Sequence, residues 1–346
     1  MAKATPDKGY QKLKNDLANG EIGQVYIFHG EESYLREYYL GELKKALVPA
    51  GFEEFNYHRL AGKGLSPLAL QETVEAMPMM AQSTLVEVTD MDIFRLDEEG
   101  RQQLTALLED FPDYCTLVFI YDTIEYKRNA VMKKLCAAIS AHAVEVEFCR
   151  QENRALYRWI QQHFAAAGHD IDSATMEHLL FTCGTMMTNL APEIDKIAAY
   201  AKDRRITVAD INAVADPVLD ARVFDMTNCI TAGKYDDAAR VLGDLLRMQE
   251  EPIAILSVIG RELRRIYTAR LALDGGKDRG WLKEVWHMSS DYPAKLLMAA
   301  AAKVDRKWCA DAVRKAEILD RRMKSERNMD AAQELKLFLM ELAGTR

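Results

Sequence analysis

The sequence predicts an α/β domain followed by a region built of helices alone. In the first 140 residues, short apolar runs typical of buried strands alternate with helical patterns, and the most apolar run is Cys115–Tyr121. In the later residues, apolar side chains recur at helical spacing, as at Leu156, Ile160 and Phe164. Because helices separate the strands, we expect a parallel sheet that is covered on both faces.

The elements of the first part follow one another with recognisable start and stop signals. Ser66 and Pro67 open a helix as N-cap and first-turn proline, and Pro78 is expected to end it. The other predicted helices are Tyr10–Ala18, Ser33–Leu47, Asp97–Leu108 and Lys127–Ser140, and the predicted strands are Gln24–Phe28, Phe55–Leu60, Thr84–Val88, Cys115–Tyr121 and Val144–Phe148.

The length of 346 residues exceeds what one hydrophobic core usually holds. Three helices fit before Thr207, which N-caps one more short helix that closes before Pro217. About five helices fit between Val223 and Leu342. We therefore predict three domains, which span residues 1–142, 143–212 and 213–346.

Composition and charge limit the classes of function. With 49% hydrophobic and 28% charged residues, the composition is that of a soluble globular protein. The sequence has no apolar run long enough to cross a membrane, and its start lacks the apolar centre of a signal peptide, so we expect a cytoplasmic location. Residues 1–200 carry 19 basic and 30 acidic side chains, which argues against a broad nucleic-acid surface there.

The turn at Gly30 joins a strand to a helix, which is the frame of a phosphate-binding loop. A working loop has the pattern GxxxxGK[ST], in which backbone N–H groups and a lysine neutralise the phosphates. This chain has GEESYLRE there, without a second glycine or a lysine. Glu31 and Glu32 also place negative charge where phosphates would bind, so the sequence predicts no nucleotide site at this turn.

Three aspartates follow predicted strands, where α/β enzymes often place functional carboxylates. Asp90 and Asp92 follow Thr84–Val88, and Asp122 follows Cys115–Tyr121. Solvated strand ends commonly carry aspartate, so we favour a structural role over a metal site. The six cysteines include no CxxC pair and the seven histidines no HExxH motif, so we expect buried free thiols and no metal.

Several segments form an ordered pattern over almost the whole chain, namely Val25–Leu35, Met77–Met80, Asn189–Tyr200, Ile206–Asp210 with Val223–Phe224, Ile259–Arg264 and Ile318–Lys324. Each segment is only moderately specific. In their order and spacing, they together resemble the delta subunit family of the bacterial DNA polymerase III clamp loader.

The resemblance implies an AAA+-like fold without ATPase activity. Residues 1–142 would form the AAA+-like domain, residues 143–212 a small helical lid, and residues 213–346 a helical collar for assembly. The implied partners are the ATP-hydrolysing tau/gamma subunits and delta prime, in a five-subunit ring that acts on primed DNA. The chain would be a subunit of the DNA-directed DNA polymerase III holoenzyme with no cofactor and no activity of its own, and a monomer in isolation.

The resemblance also implies a binding site at Met79 and Met80. In this family, delta opens the ring-shaped beta sliding clamp by inserting an apolar pair, at the end of a helix of its first domain, into a hydrophobic pocket. The family usually has leucine or methionine followed by phenylalanine, so the chain differs at Met80, where a flexible thioether replaces the ring. The alternative is that both methionines are core residues beneath the next strand.

Two other classes of function stay open. One is a nucleotide-dependent AAA+-type enzyme whose phosphate site does not follow the known motif. The other is a DNA-binding regulator that uses the helical part of the chain, where Arg261, Arg264, Arg265 and Arg270 form a basic stripe. A solvated helix face is the more common explanation of such a stripe.

The GEESYLRE turn generates a first prediction, that the purified chain does not bind Mg-ATP. Without the second glycine and the lysine of a working loop, nothing in this sequence offsets the charge of the phosphates. Isothermal titration calorimetry with Mg-ATP should therefore show no binding heat. Binding in the micromolar range would contradict this expectation.

Overall fold

In the described residues, the first part of the chain forms a parallel sheet with helices, and the second part forms helices with one isolated β-bridge between Asp170 and Arg205. The computed structural model describes residues 8–202, 204–288, 290–326 and 329–344. The chain divides into two compact units, residues 1–150 and residues 151–346.

Five strands and six helices form the first unit within its described residues. The strands are β1 Val25–His29, β2 Tyr57–Ala61, β3 Thr84–Thr89, β4 Cys115–Ile120 and β5 Ala143–Glu147. The helices are α1 Lys8–Asn19, α2 Ser33–Leu47, α3 Glu53–Asn56, α4 Pro67–Val74, α5 Glu98–Glu109 and α6 Lys133–His142. All strand pairs are parallel, and the order across the sheet is β2-β3-β4-β1-β5.

Side chains alternate between the two faces of the sheet, and both faces are buried. Val25 and Ile27 of β1 join the core that α4, α5 and α6 cover. Tyr26 and Phe28 point to the opposite face, where Phe28 packs edge-on against Phe148 and α1 and α2 supply further rings. The continuous apolar runs of the central strands follow from this double coverage.

Eleven helices form the described part of the second unit. They are α7 Asn153–Ala166, α8 Ser173–Cys183, α9 Met187–Tyr200, α10 Val208–Val214, α11 Leu219–Thr231, α12 Tyr235–Arg247, α13 Pro252–Asp274, α14 Arg279–Val285, α15 Asp291–Ala301, α16 Arg306–Ser325 and α17 Ala331–Ala343. The longest, α13, contacts α11, α14, α15, α16 and α17, so it is the centre of the C-terminal core.

Several boundaries confirm the sequence prediction. Ser66 accepts a hydrogen bond from the Ala69 N–H and caps α4, and Asp97 caps α5 in the same way. Thr207 and Asp210 form a reciprocal capping box at the start of α10. Three helices precede Thr207, as the apolar spacing predicts.

The predicted starts of β2 and α6 are wrong. Phe55 lies in α3, so the second strand begins later, at Tyr57. The helix predicted from Lys127 begins at Lys133, because the Asn129 side chain accepts a hydrogen bond from the Val131 N–H and holds a turn there.

The C-terminal region holds seven helices in its described residues, where about five were predicted. One reason is the short helix α14, which begins after its N-cap Asp278. Its sequence shows no apolar periodicity that would predict a helix. Another is the boundary between α15 and α16 at Asp305, which lacks glycine and proline.

The predicted boundaries at residues 142 and 212 stay predictions. Strand β5 begins at Ala143 and pairs with β1, so it lies within the first unit. In the described ranges, none of the helices combines the length and hydropathy that a membrane crossing requires.

Candidate functional site

Met79 and Met80 lie in a loop rather than at the end of a helix. We call residues 75–83, between α4 and β3, the methionine loop. The prediction that Pro78 ends the helix is wrong, because α4 ends at Val74. Proline disfavours the helical conformation at the residue before it, Met77, so the turn breaks earlier. The Tyr114 hydroxyl then donates to the carbonyl oxygen of Glu75 at 2.9 Å and caps the helix end.

Asn56 fixes the middle of the methionine loop. Its Nδ2 donates to the Met79 carbonyl oxygen, and its Oδ1 accepts from the Met79 N–H, both at 2.8 Å. Nδ2 also donates to the Phe52 carbonyl oxygen at 3.1 Å, within the same turn of helix α3. Asn56 has an exposed fraction of 0%, so its amide is shielded from water and depends on these bonds for its polar partners.

The end of the methionine loop is fixed by a third contact. The Ser83 hydroxyl donates to the carbonyl oxygen of Leu47, the last residue of α2, at 3.2 Å. Thr84 then starts β3, and its N–H donates to the Tyr114 carbonyl oxygen at 2.8 Å. The loop is therefore held at Glu75, Met79 and Ser83, and the segment between these points is positioned by the sheet and two helices.

The methionine side chains of this loop are exposed to solvent. The exposed fraction is 80% for Met77, 52% for Met79 and 78% for Met80. The alternative that Met79 and Met80 pack in the core therefore does not hold for this structure. Since Glu75 is the only charged residue of the loop sequence EAMPMMAQS, the exposed surface is apolar and nearly uncharged.

Met80 has a backbone conformation that costs free energy. Its φ is +55°, in the left-handed region, which long side chains rarely adopt. This conformation costs about 1 to 2 kcal/mol per residue relative to the right-handed region. Strain of this size persists only where surrounding contacts enforce it, and here the backbone N–H and carbonyl oxygen of the neighbouring Met79 are both hydrogen-bonded to Asn56.

The turn after β1 lacks the geometry of a phosphate-binding site. Gly30 has φ +110°, and a Cβ atom there would lie 2.6 Å from the Phe148 carbonyl oxygen. The N–H of buried Glu32 donates to that same oxygen at 2.9 Å, so this backbone donor is already used. Arg36 donates to the Gly30 carbonyl oxygen at 3.1 Å and pairs with Asp122. Three residues separate β1 from α2, fewer than a phosphate-binding loop needs.

The three aspartates at the strand ends have structural partners. Asp90, with φ +59°, accepts hydrogen bonds from the N–H groups of Asp122 and Thr123 at 2.8 and 3.0 Å and from the Thr123 hydroxyl at 2.6 Å. Partial burial would raise the pKa of Asp90, but these bonds outweigh it and lower that pKa. Asp92 pairs with Arg95 at 3.1 Å. Across the described residues, no group of three His, Cys, Asp or Glu side chains could hold a metal ion.

Carboxylates neutralise most of the basic stripe of α13. Arg261 pairs with Asp220, and Arg265 pairs with the buried Glu262 at 2.7 Å. Arg270 pairs with Asp274. Burial raises the pKa of Glu262, although the charges of Arg265 and Arg261 oppose that shift. Because most of these arginines form ion pairs within the chain, the stripe has little positive potential to attract DNA phosphates.

The cysteines agree in part with the expectation of buried free thiols. None of the six, which all lie in the described residues, forms a disulfide, and Cys115, Cys183 and Cys309 are buried. Burial raises the pKa of Cys115 to about 11 and that of Cys183 to about 12. Cys149 is exposed, so the expectation is wrong for this residue.

Sequence reasoning missed Asn56 and Tyr114, which together shape the methionine loop. Asn56 lies 23 residues from Met79, and Tyr114 lies 39 residues from Glu75. No local pattern links such residues. The one available signal was a polar residue between the aromatic residues Phe55 and Tyr57, in a segment that otherwise reads as a strand.

Two family models and several curated relatives match this chain. The model of the family "DNA polymerase III, delta subunit" matches residues 26–148, and the model of the delta subunit's C-terminal domain matches residues 220–342. DNA polymerase III subunit delta of Bacillus subtilis is 23% identical over 336 residues, which cover 94% of this chain and 94% of that relative. The corresponding subunit of Escherichia coli is 20% identical over 255 residues, or 73% of this chain and 72% of the relative.

A solved structure shares the fold. The DNA clamp loader delta protein of Bacillus subtilis superposes with a TM-score of 0.51 and 20% identity, over 97% of this chain and 99% of that chain. The predicted fold class, an AAA+-like α/β domain followed by helical domains, is confirmed.

The hydrogen bonds of Asp90 generate a second prediction. Asp90→Ala should lower the free energy of unfolding of the first unit by about 1 to 3 kcal/mol, because N–H groups of Asp122 and Thr123 lose their acceptor. Asp90→Asn should cost less, since it keeps an acceptor oxygen and tolerates positive φ. Urea denaturation followed by circular dichroism measures both values.

The pH dependence of the Asp90→Ala effect has a defined sign. Because the folded-state pKa is lowered, the carboxylate stabilises the fold fully above its ordinary pKa of 3.8 and loses this effect as pH falls through the folded-state value. The difference between wild type and Asp90→Ala should therefore be smaller at about pH 3 than at about pH 7. An equal difference at both pH values would contradict the role assigned to the ionised form.

Proposed function

Because the chain belongs to the family of DNA polymerase III delta subunits, we propose that it binds and opens the beta sliding clamp as the noncatalytic delta subunit of the clamp loader. The observation that carries this proposal is the exposure of Met79 and Met80 on a loop fixed at three points. An exposed apolar surface on a positioned loop is typical of a protein contact.

The proposed contact uses the two methionines as anchors of a wider interface. Burying a methionine side chain contributes about 1.5 to 3 kcal/mol. Association costs about 4 to 15 kcal/mol in lost freedom of motion, so two methionines alone do not hold a partner. Met77 of the same loop and Phe55, which precedes Asn56 in α3, are also exposed, and in this proposal they contribute to the wider interface.

Opening the clamp requires that the chain bind the open ring more tightly than the closed ring. A subunit with equal affinity for both forms would bind without opening. In the proposed mechanism, the methionine loop is a rigid wedge in a hydrophobic pocket of the clamp, and the open form accommodates that wedge better. The free energy for opening then comes from binding alone.

We assign no ATP chemistry to this chain. The closed turn after β1 supports this part of the proposal, since its backbone donor is bonded to Phe148 and Glu31 pairs with Arg150 at 2.6 Å. Hydrolysis would belong to the tau/gamma subunits. The alternative of a nucleotide-dependent enzyme has no supporting geometry at this turn, and the paired arginines of α13 do not favour a DNA-binding regulator.

The proposed setting is the replication machinery in the cytoplasm. The helices of the second unit would contact the tau/gamma and delta prime subunits, in a five-subunit complex that reaches primed DNA as an assembly. The second unit offers apolar side chains for such contacts, since Ile318, Leu337 and Met340 of α16 and α17 are exposed.

The anchor role generates a third prediction. Met79→Ala/Met80→Ala should weaken clamp binding by about 2 to 4 kcal/mol, the range of interface hot spots. The melting temperature should change little, because both side chains are exposed in the free chain. Surface plasmon resonance with the immobilised beta clamp and thermal melting measure the two effects.

A matched control for this variant is Met248→Ala/Met340→Ala, which removes two exposed methionines of the second unit. This control should bind the clamp as wild type does. Normal clamp binding by folded Met79→Ala/Met80→Ala would show that the anchor lies elsewhere.

The two-unit organisation generates a fourth prediction. A fragment that ends at Arg150 contains the whole first unit and all three anchor points of the methionine loop. It should bind the beta clamp but should not join tau/gamma and delta prime, because the helices proposed for assembly are absent. Clamp binding by surface plasmon resonance and gel filtration with the other subunits test the two statements. A folded fragment that fails to bind the clamp would contradict the assignment of the site.

A further inference from the structure

A buried asparagine controls the position of an exposed apolar loop. Asn56 has an exposed fraction of 0%, while Met79, whose peptide it binds, is 52% exposed. We propose that Asn56 is the positioning residue of the clamp contact, because it holds Met79 and Met80 in the conformation that the clamp binds. This inference rests on the proposed function and adds to it the residue that sets the geometry of the site.

The hydrogen bonds of Asn56 define one conformation of the loop. Its amide accepts from the N–H and donates to the carbonyl oxygen of the same residue, Met79, at 2.8 Å each, which restrains the two peptide groups on either side of the Met79 Cα. The third bond, to the Phe52 carbonyl oxygen at 3.1 Å, fixes the orientation of the amide itself. Asn56 therefore ties the position of the methionine loop to the position of helix α3.

The conformation of Met80 shows why the loop needs this restraint. A residue with φ +55° relaxes to a more favourable region when its neighbours permit it. In the methionine loop, the other two anchors lie at its ends, at Glu75 and Ser83. Without Asn56, the residues between these ends could rotate, and the two side chains would leave their present positions.

The effect of losing Asn56 should be local. Met79 is half exposed, so water can replace the lost hydrogen bonds of its peptide. The loop would then sample several conformations, of which only one binds the clamp. The apparent affinity falls in proportion to the fraction in that conformation, so the loss should appear in the association rate.

The test compares Asn56→Ala with wild type in two measurements. Hydrogen–deuterium exchange of the free chain should show faster exchange of the Met79 amide. Surface plasmon resonance with the immobilised beta clamp should show an association rate about 5- to 30-fold lower, with a nearly unchanged dissociation rate, which corresponds to the loss of two hydrogen bonds. Met79→Ala/Met80→Ala should instead raise the dissociation rate, because it removes contacts from the complex.

Two further variants keep the test interpretable. Asn56→Asp retains the size of the side chain and one acceptor, but when ionised it cannot donate to the Met79 carbonyl oxygen, so it should slow association in the same way even if Asn56→Ala does not fold. Asn129→Ala is the matched control, since Asn129 holds the backbone N–H of Val131 in a different loop of the same unit. It should bind the clamp at the wild-type rate.

A double-mutant cycle separates a positioning role from an independent contact. If Asn56 acts through the methionines, the triple variant Asn56→Ala/Met79→Ala/Met80→Ala should bind the clamp no more weakly than Met79→Ala/Met80→Ala. Normal association by folded Asn56→Ala and Asn56→Asp, alongside weak binding by Met79→Ala/Met80→Ala, would overturn this inference and leave the proposed function standing. Normal binding by Met79→Ala/Met80→Ala would overturn the proposed function, and the inference with it.

Discussion

The two hydrogen bonds between the Asn56 amide and the backbone of Met79 are the interaction on which the geometry of the methionine loop depends. They satisfy both backbone polar groups of one residue with one buried side chain. Tyr114 and Ser83 fix the ends of the loop on other elements, so the sheet and helices α2 and α3 share the restraint. Three apolar side chains can then stay exposed without collapsing onto the core, since the backbone that carries them is held.

The first unit has the strand–turn–helix arrangement of a nucleotide-binding domain, but the residues at its turns have structural roles. At the turn after β1, Gly30 packs directly against the Phe148 backbone, and the N–H of Glu32 is bonded to it. Asp90 likewise holds the turn after β4 instead of a ligand. The polar groups at this edge of the sheet therefore stabilise the fold, and the exposed apolar surface lies in the connection between α4 and β3.

Local sequence signals predicted most helices and strands. Features that depend on contacts between residues far apart in the sequence were not predictable from those signals. Apolar runs and N-caps such as Ser66 and Thr207 act within a few residues, so the sheet, the helical region and many boundaries were predictable. The end of α4 was not, because Tyr114 caps it from 39 residues away. The resemblance pointed to Met79 and Met80, whereas their exposure and the part played by Asn56 required the structure.

The central claim is that the clamp contacts the chain through the methionine loop. Methyl-group NMR of the full chain, with its methionine methyls labelled by carbon-13, tests it directly during a titration with the beta clamp. We expect the signals of Met77, Met79 and Met80 to shift or broaden, while those of Met248 and Met340, which are exposed methionines of the second unit, keep their positions. Perturbation of Met248 or Met340, with unchanged Met79 and Met80 signals at saturating clamp, would contradict the account.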